Sequence, residues 1–289
     1  MKIKNIFNKK MVFSFEVFPP KNTSSVDVIY RTLDELGDLK PDFISVTYSA
    51  GGSGNSQLAL DITQKIKSKG ITPVLHLPCI NYTREQIDYT LEQAKNCGIE
   101  NILALRGDIN PNIPPVEEFL HASDLIEYLK QKGDFDIAAA CYPEGHPDAD
   151  SLDEDIKNLK IKVEAGADHL ISQLFFDNEY FFNFREKTAK AGINVPIEAG
   201  IMPVVNKNQI ERMVTTCGAS LPHKFVKIMQ KYEHNPEALR DAGIAYAINQ
   251  IVDLAAGDVD GIHLYTMNNA YVAGKISEAV AGIIKFDEA

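Results

Sequence analysis

The 289-residue chain is short of several features that would each point to a class of function. No stretch approaches the ~20 apolar residues of a membrane span. The four cysteines (Cys79, Cys97, Cys141 and Cys217) are widely separated and form no CxxC. That spacing suggests neither a zinc knuckle nor a redox dithiol, and it fits free thiols in a reducing cytosol. Basic residues are in deficit, 29 against 40 acidic ones, for a formal net charge of −11. A nucleic-acid binder needs the opposite balance to neutralise phosphates. No GxGxxG follows an apolar run and no GxxxxGK[ST] occurs, so Rossmann and P-loop nucleotide sites are absent. A dinucleotide, if bound, is held in some other way.

What is present is an ordinary globular composition, 45% hydrophobic and 24% charged. A chain of this size can bury a large core without disulfides or a structural metal. The amino-terminal stretch MKIKNIFNKKMVFSFEVF is basic and then apolar, like a signal peptide. Glu16 interrupts the apolar run, however, and no small-residue cleavage site follows. The expectation is a soluble, cytoplasmic protein.

Short apolar runs recur at roughly 30-residue intervals: 11–18, 43–48, 72–77, 101–106, 136–142, 169–176, 195–202 and 261–267. Segments of helical spacing lie between them, the pattern of βα units on a parallel sheet. Eight such runs suggest a single (β/α)8 barrel domain over 1–289, a fold that typically takes about 250 residues. Thr83 to Gln86 and Ser151 to Glu154 both fit a capping box, and the helices they open should end at Gly98 and Gly166. The gap before the eighth run, about 60 residues, is too long for one βα unit. Pro222 and Pro236 should divide it into extra helices. About 25 residues follow the eighth run, less than the ~100 of a usual domain. No appended regulatory domain, and no inhibition by S-adenosylmethionine, is therefore expected.

In a barrel the carboxy-terminal strand ends converge on the active-site mouth, and here those ends are polar. Glu16 lies inside FSFEVF, while the second run ends in Thr47 and Tyr48. The third holds His76, and the fourth leads into Arg106, Gly107 and Asp108. Tyr142, Glu144 and His146 follow the fifth, and Gln173 lies in the sixth. Each alone has a plain structural use: Glu16 can turn outward to a helix cation, and His76 can be a satisfied core histidine. Buried carboxylates cost several kcal/mol unless partnered, so polar groups on six strands together indicate a site. The helix from Ser151 carries a core stripe of Leu152, Ile156, Leu159 and Val163. Asp155, Asn158 and Lys162 form a second stripe about 100° round from it, and by spacing alone a solvated face is the simpler reading.

At these residues the sequence resembles a methylenetetrahydrofolate reductase of the compact bacterial type. The matching stretches include FSFEVFPPK (13–21), SVTYSAGG (45–52), HLPCI (76–80), LALRGD (103–108), AAACYPEGHPDA (138–149), ISQLFFD (171–177), GIMPV (200–204) and HLYTMN (263–268). The resemblance implies an FAD enzyme that takes hydride from NADH or NADPH onto flavin N5. By a ping-pong route it then reduces 5,10-methylenetetrahydrofolate to the 5-methyl form. Glu16 matches the general acid that protonates folate N10, a task suited to a carboxyl desolvated within an apolar strand. Asp108 matches the acidic residue near the flavin and the pterin. Thr47 and Gln173 match nicotinamide contacts, Gln173 also a pterin contact. Positions matching FAD contacts are Tyr48, Ala50, His76, Arg106, Gly107 and Ala122, then Tyr142, His146, Ala149, Asp155, Asn158 and Lys162. The resemblance also implies a homo-oligomer.

Three positions depart from the pattern. Ile161 stands where an arginine adjoins the last FAD lysine, and Met213 stands in place of an aromatic lid shared by nicotinamide and folate. Asn269 replaces an arginine that would partner the folate tail, which leaves Gln209 as the matched contact there. Lys207, Lys224 and Lys227 lie in the same covering segment. Two rivals remain: a related flavin barrel oxidoreductase, such as one acting on proline, and a flavin-binding subunit that works only with a partner protein. Lysine-based aldolases are disfavoured because none of the runs carries a lysine in its core.

Overall fold

The inward and outward positions of the first strand explain the fold. Phe13, Phe15 and Val17 join the large apolar core shared with the helices, while Val12, Ser14 and Glu16 alternate with them on the other face. In the computed structural model, which describes residues 1–20, 25–48, 56–109, 114–206, 209 and 218–285, this strand is β1 (Val12–Val17). It is followed by α1 (Val26–Asp38), β2 (Phe43–Val46), α2 (Ser56–Ser68), β3 (Thr72–Pro78) and α3 (Arg84–Asn96). Next come β4 (Asn101–Leu105), α4 (Ala122–Lys132), β5 (Asp136–Cys141), α5 (Leu152–Glu164), β6 (His169–Ser172) and α6 (Asn178–Lys190). The described elements end with β7 (Ile197–Ile201), α7 (His223–Tyr232), α8 (Pro236–Ala256), β8 (Gly261–Tyr265) and α9 (Ala270–Ile284).

All eight strands are parallel and close into a barrel in sequence order, β8 pairing with β1 from Val12 opposite Gly261 to Glu16 opposite Tyr265. The (β/α)8 expectation is met, with seven strands one to four residues shorter than their apolar runs and β3 one residue longer. The amino-terminal residues are part of the packing. Ile3 and Ile6 plug the amino end of the barrel against Val12, Phe43, Val74, Leu103, Ala138 and Ile171. Backbone N–H groups of Ile3 and Lys4 donate to Asn101 and Asp136 at the starts of β4 and β5, which fixes the plug.

The helix signals hold with one correction. Thr83 and Gln86 form the reciprocal capping box of α3, and Gly98 and Gly166 take the left-handed conformation after α3 and α5, with φ of 64° and 118°. Ser151 accepts from the Glu154 backbone N–H, but the Glu154 carboxylate pairs with Lys157 at 2.9 Å, so only half of that box forms. Pro222 and Pro236 do open helices, as N-cap of α7 and first residue of α8. These two helices bury Phe225, Met229 and Leu239 with Leu174, Phe176, Met202 and Val204, a second core at the carboxy-terminal ends of β6 and β7. Among the described residues no helix is long and apolar enough to cross a membrane.

Gly243 in α8 sets how closely that second core can approach the barrel. A Cβ there would stand 1.8 Å from the Val204 carbonyl oxygen, a backbone atom that cannot swing aside. Gly243→Ala should therefore cost about 1–3 kcal/mol, the scale of overpacking, despite alanine's better helix propensity. Denaturant unfolding reads this directly, and an unchanged or raised midpoint would refute the close-approach explanation.

Candidate active site

Because the strands run parallel, their carboxy ends lie at one mouth. A cavity of about 380 Å³ opens there. Glu16, Thr47, Tyr48 and His76 line it from β1 to β3, and Arg106, Gly107 and Asp108 from the end of β4. Tyr142 and His146 line it after β5, Gln173 after β6 and Tyr265 on β8. A second cavity of about 470 Å³ shares Leu105, Arg106, Ala140, Tyr142 and His146 with the first. It continues outward past Ala122, Asp148, Ala149, Asp155, Asn158, Ile161 and Lys162. The two form one bent cleft with Arg106 and Tyr142 at its waist.

Glu16 points inward. Its Oε2 lies 3.6 Å from Nε2 of His76 on β3 and 3.6 Å from Nε2 of His263 on β8. Burial pushes His76 down to about 4, so it is neutral at pH 7 and offers Glu16 a dipole rather than a cation. Its Nε2 has no hydrogen-bond partner. Gly107 turns the chain at the end of β4 with φ 89°, and a Cβ there would meet Pro78 Cβ at 3.0 Å. The exposed Asp108 thereby stands at the rim. Gln173 folds back so that its Oε1 accepts from the Leu174 backbone N–H at 2.9 Å.

The outer lobe is the cationic part. Lys162, on the side of α5 facing the cavity, donates to the Ala140 carbonyl at 3.0 Å and lies 5.8 Å from the Tyr142 ring centroid. Burial lowers its proton affinity, and nearby Asp155 partly offsets this. Asp155 is raised by the same burial, and it accepts from the His146 backbone N–H at 3.1 Å. Arg106 reaches Asp148 at 2.9 Å across the waist. Burial and the Arg106 charge lower His146, and burial pushes Tyr142 up to about 12. The stripe of Asp155, Asn158 and Lys162 therefore lines a cavity, although its spacing alone favoured a solvated face.

Some candidates lie elsewhere. Asn269 is the N-cap of α9, its Oδ1 accepting from the Val272 N–H at 3.2 Å, and it lines neither cavity. Gln209 accepts from the Val205 and Asn206 backbone N–H groups. Glu144 accepts from the Ser220 N–H at 3.1 Å and so ties the β5 loop to the segment before α7. Lys224 and Lys227 are exposed on α7. Ala50, Lys207, Met213 and Cys217 fall outside the described residues.

Sequence reasoning missed the polar groups deeper in the barrel. Ser14, Ser45, Asp136, His169, Glu198 and His263 are all fully buried. Glu16 is thus accompanied by a second strand carboxyl, Glu198, whose burial pushes it well above the usual carboxylate range. The signal was present in the alternation of β7 and β8, where Glu198 and His263 share the inward register with Gly200 and Gly261.

Comparison with known proteins agrees with this geometry. The sequence profile of the methylenetetrahydrofolate reductase family matches residues 2–281. A 5,10-methylenetetrahydrofolate reductase of Pectobacterium carotovorum is 37% identical over 258 residues, covering 89% of this chain and 86% of that protein. The "Methylenetetrahydrofolate reductase (NADH) 1" of Arabidopsis thaliana is 35% identical over 92% of this chain and 48% of its own length. In fold, the chain is similar to a Clostridium thermocellum protein described as binding two copies of 5-methyl-5,6,7,8-tetrahydrofolic acid. That match has a TM-score of 0.72 at 13% identity and covers 99% of each chain. The chain belongs to the methylenetetrahydrofolate reductase family.

Proposed function

We propose that the protein is an FAD-dependent oxidoreductase that uses NADH or NADPH to reduce 5,10-methylenetetrahydrofolate to the 5-methyl form, the two substrates taking turns at one site. The observation that carries this reading is that Glu16, Thr47, Asp108 and Gln173 face a single cavity continuous with the Lys162 lobe. Support for the reaction comes from the family, and for the nicotinamide donor from the NADH-named relative.

The cleft suits a flavin dinucleotide. Its inner part is walled by Leu103, Leu105, Ile171 and Tyr265, surfaces for a flat ring system. Lys162 is a half-buried ammonium that donates to the Ala140 carbonyl, and a pyrophosphate would satisfy it better. Arg106 at the waist can serve the same phosphates by exchanging Asp148 for them. Tyr48, His76 and Gly107 would border the ring system. Ala122, Ala149, Asp155 and Asn158 would border the adenosine end. The flavin, when bound, supplies the two-electron carrier between nicotinamide and folate.

The chain's own residues do the rest. Glu16 Oε2 holds the proton that opens the folate's bridged ring by delivery to N10. Neutral His76 keeps that carboxyl from being locked in an ion pair. Thr47 and Gln173 orient whichever substrate covers the ring, and Asp108 sets the charge at the rim. Tyr265 donates to the Ser172 carbonyl at 2.7 Å, which holds the β6–β8 wall in place behind them.

Two variants test this reading. Glu16→Gln should keep its visible flavin absorbance and its reduction by NADH but lose at least ~10²-fold in the folate step, the usual scale for a lost general acid. Normal folate turnover would sink the role of Glu16. Lys162→Met should weaken FAD roughly 10–100-fold, the size of one charge-assisted contact. Fluorescence titration of apoprotein with FAD measures it, and unchanged affinity would place the pyrophosphate elsewhere.

A further inference from the structure

The turn that leaves β8 holds the exit of β1 through side chains that the reaction outlined above does not use. Asn269 N–H donates to the Thr266 carbonyl at 2.9 Å, which closes a four-residue turn from Thr266 to Asn269. Its two central residues, Met267 and Asn268, have φ of 52° and 54°. Among the described residues only four other than glycine have left-handed backbone, and two of them are consecutive here. Asparagine tolerates that conformation, whereas methionine adopts it at a cost. Such strain persists where the surrounding contacts demand it.

The contacts made by this turn run back to β1. The Thr266 hydroxyl donates to the Glu16 carbonyl at 2.6 Å, and the Thr266 N–H lies 3.3 Å from the same oxygen. The hydroxyl in turn accepts from the Asn268 N–H at 3.2 Å. Two residues on from Glu16, the Asn268 amide meets the Phe18 backbone twice. Its Oδ1 accepts from the Phe18 N–H at 3.1 Å, and its Nδ2 donates to the Phe18 carbonyl at 2.8 Å. Pro19 and Pro20 follow, and neither has an N–H to carry the ladder further. The Asn268 side chain therefore does for Phe18 what a neighbouring backbone does within a sheet, beyond the last β1–β8 register pair of Glu16 and Tyr265.

The Glu16 carboxyl needs such an anchor. Its facing groups, Nε2 of His76 and Nε2 of His263, are both 3.6 Å away, beyond hydrogen-bond distance. With no side-chain tether, the place of the carboxyl is set by its own backbone. We propose that Asn268, together with Thr266, is a positioning residue for proton delivery: by clamping the Glu16 carbonyl and Phe18 it fixes the exit of β1, and with it the reach of the Glu16 carboxyl toward the folate. This rests on the reading of Glu16 as the group that protonates the folate. On the other side of β1 the Thr47 N–H donates to the Val17 carbonyl at 3.0 Å, so the three residues from Glu16 to Phe18 are held in turn by β8, β2 and β8 again. The left-handed turn is explained as well, since it brings the Asn268 amide alongside Phe18. A proton donor is sensitive to such placement, because a misplacement of about 1 Å can cost ~10²-fold in rate.

The first test needs no folate. In the FAD-loaded protein the Phe18 amide should be protected from hydrogen exchange, and Asn268→Gly, which keeps the left-handed backbone without strain, should remove that protection. An unprotected Phe18 amide in the wild type would overturn the proposal. The second test is kinetic. In Asn268→Gly the reduction by NADH should stay as it is, and so should the folate concentration that half-saturates the second half-reaction. The limiting rate of that half-reaction should fall by about 10-fold, part of what a 1 Å misplacement can cost. Added to Glu16→Gln, the same change should cost nothing further, because the group it positions is gone. Thr266→Val, which keeps the shape of the side chain and loses the hydroxyl, should behave alike. An unchanged folate rate in a folded Asn268→Gly protein, an equal slowing of both half-reactions, or a loss that adds in full to that of Glu16→Gln would each overturn the proposal. A wild-type enzyme bleached by NADH but never recoloured by folate would instead overturn the functional reading, a distinct outcome because the Phe18 amide is read without folate.

Discussion

Closure of the barrel by the pairing of β8 with β1 is the constraint on which the rest depends. It sets Glu16 beside Tyr265 in the register and brings His263 within 3.6 Å of the Glu16 carboxyl. An open sheet of the same strands would leave β1 and β8 at opposite edges. Ser14 would then lose both partners, since Glu198 and His263 sit on the last two strands. The amino-terminal plug serves the same end from below. Ile3 and Ile6 fill the bottom of the barrel with apolar volume, packed against Val12, Phe43 and Val74.

The cleft divides its work by electrostatics. Around Glu16 the mouth offers the neutral imidazole of His76 and, at the rim, the Asp108 carboxyl, the surroundings of a proton donor. In the outer lobe Lys162 and Arg106 supply positive charge in a chain that is otherwise strongly acidic. Asp155 and Asp148 moderate those cations, and Asp155 also fixes the loop that carries His146. In the proposed reading, phosphates take up the cations and a flat ring system reaches from there to Glu16.

Much of this was legible in the sequence. The eight apolar runs and their capping residues specify a (β/α)8 barrel because strand burial and helix termini leave strong local patterns. The polar strand ends also mark the mouth, since a parallel barrel has one functional end. What spacing could not show was the role of Asp155, Asn158 and Lys162. A helix stripe beside the core faces solvent or a cavity depending on the neighbouring loop, and the loop after β5 decides here for a cavity. Glu198 and His263 were missed for a different reason. Their partners are on β1, some 180 and 250 residues away in sequence, and only closure brings them together. Asn269 shows the opposite case, a position flagged for ligand binding whose side chain is occupied with capping a helix.

The central claim, that one cleft passes hydride from nicotinamide to a folate, is tested most directly by anaerobic titration of the purified, FAD-loaded protein. NADH is added first and 5,10-methylenetetrahydrofolate second, while the visible flavin bands are followed. The account requires the bands to bleach with NADH and recover with the folate, one 5-methyltetrahydrofolate appearing for each NADH consumed. Bands that stay bleached after the folate is added would contradict it.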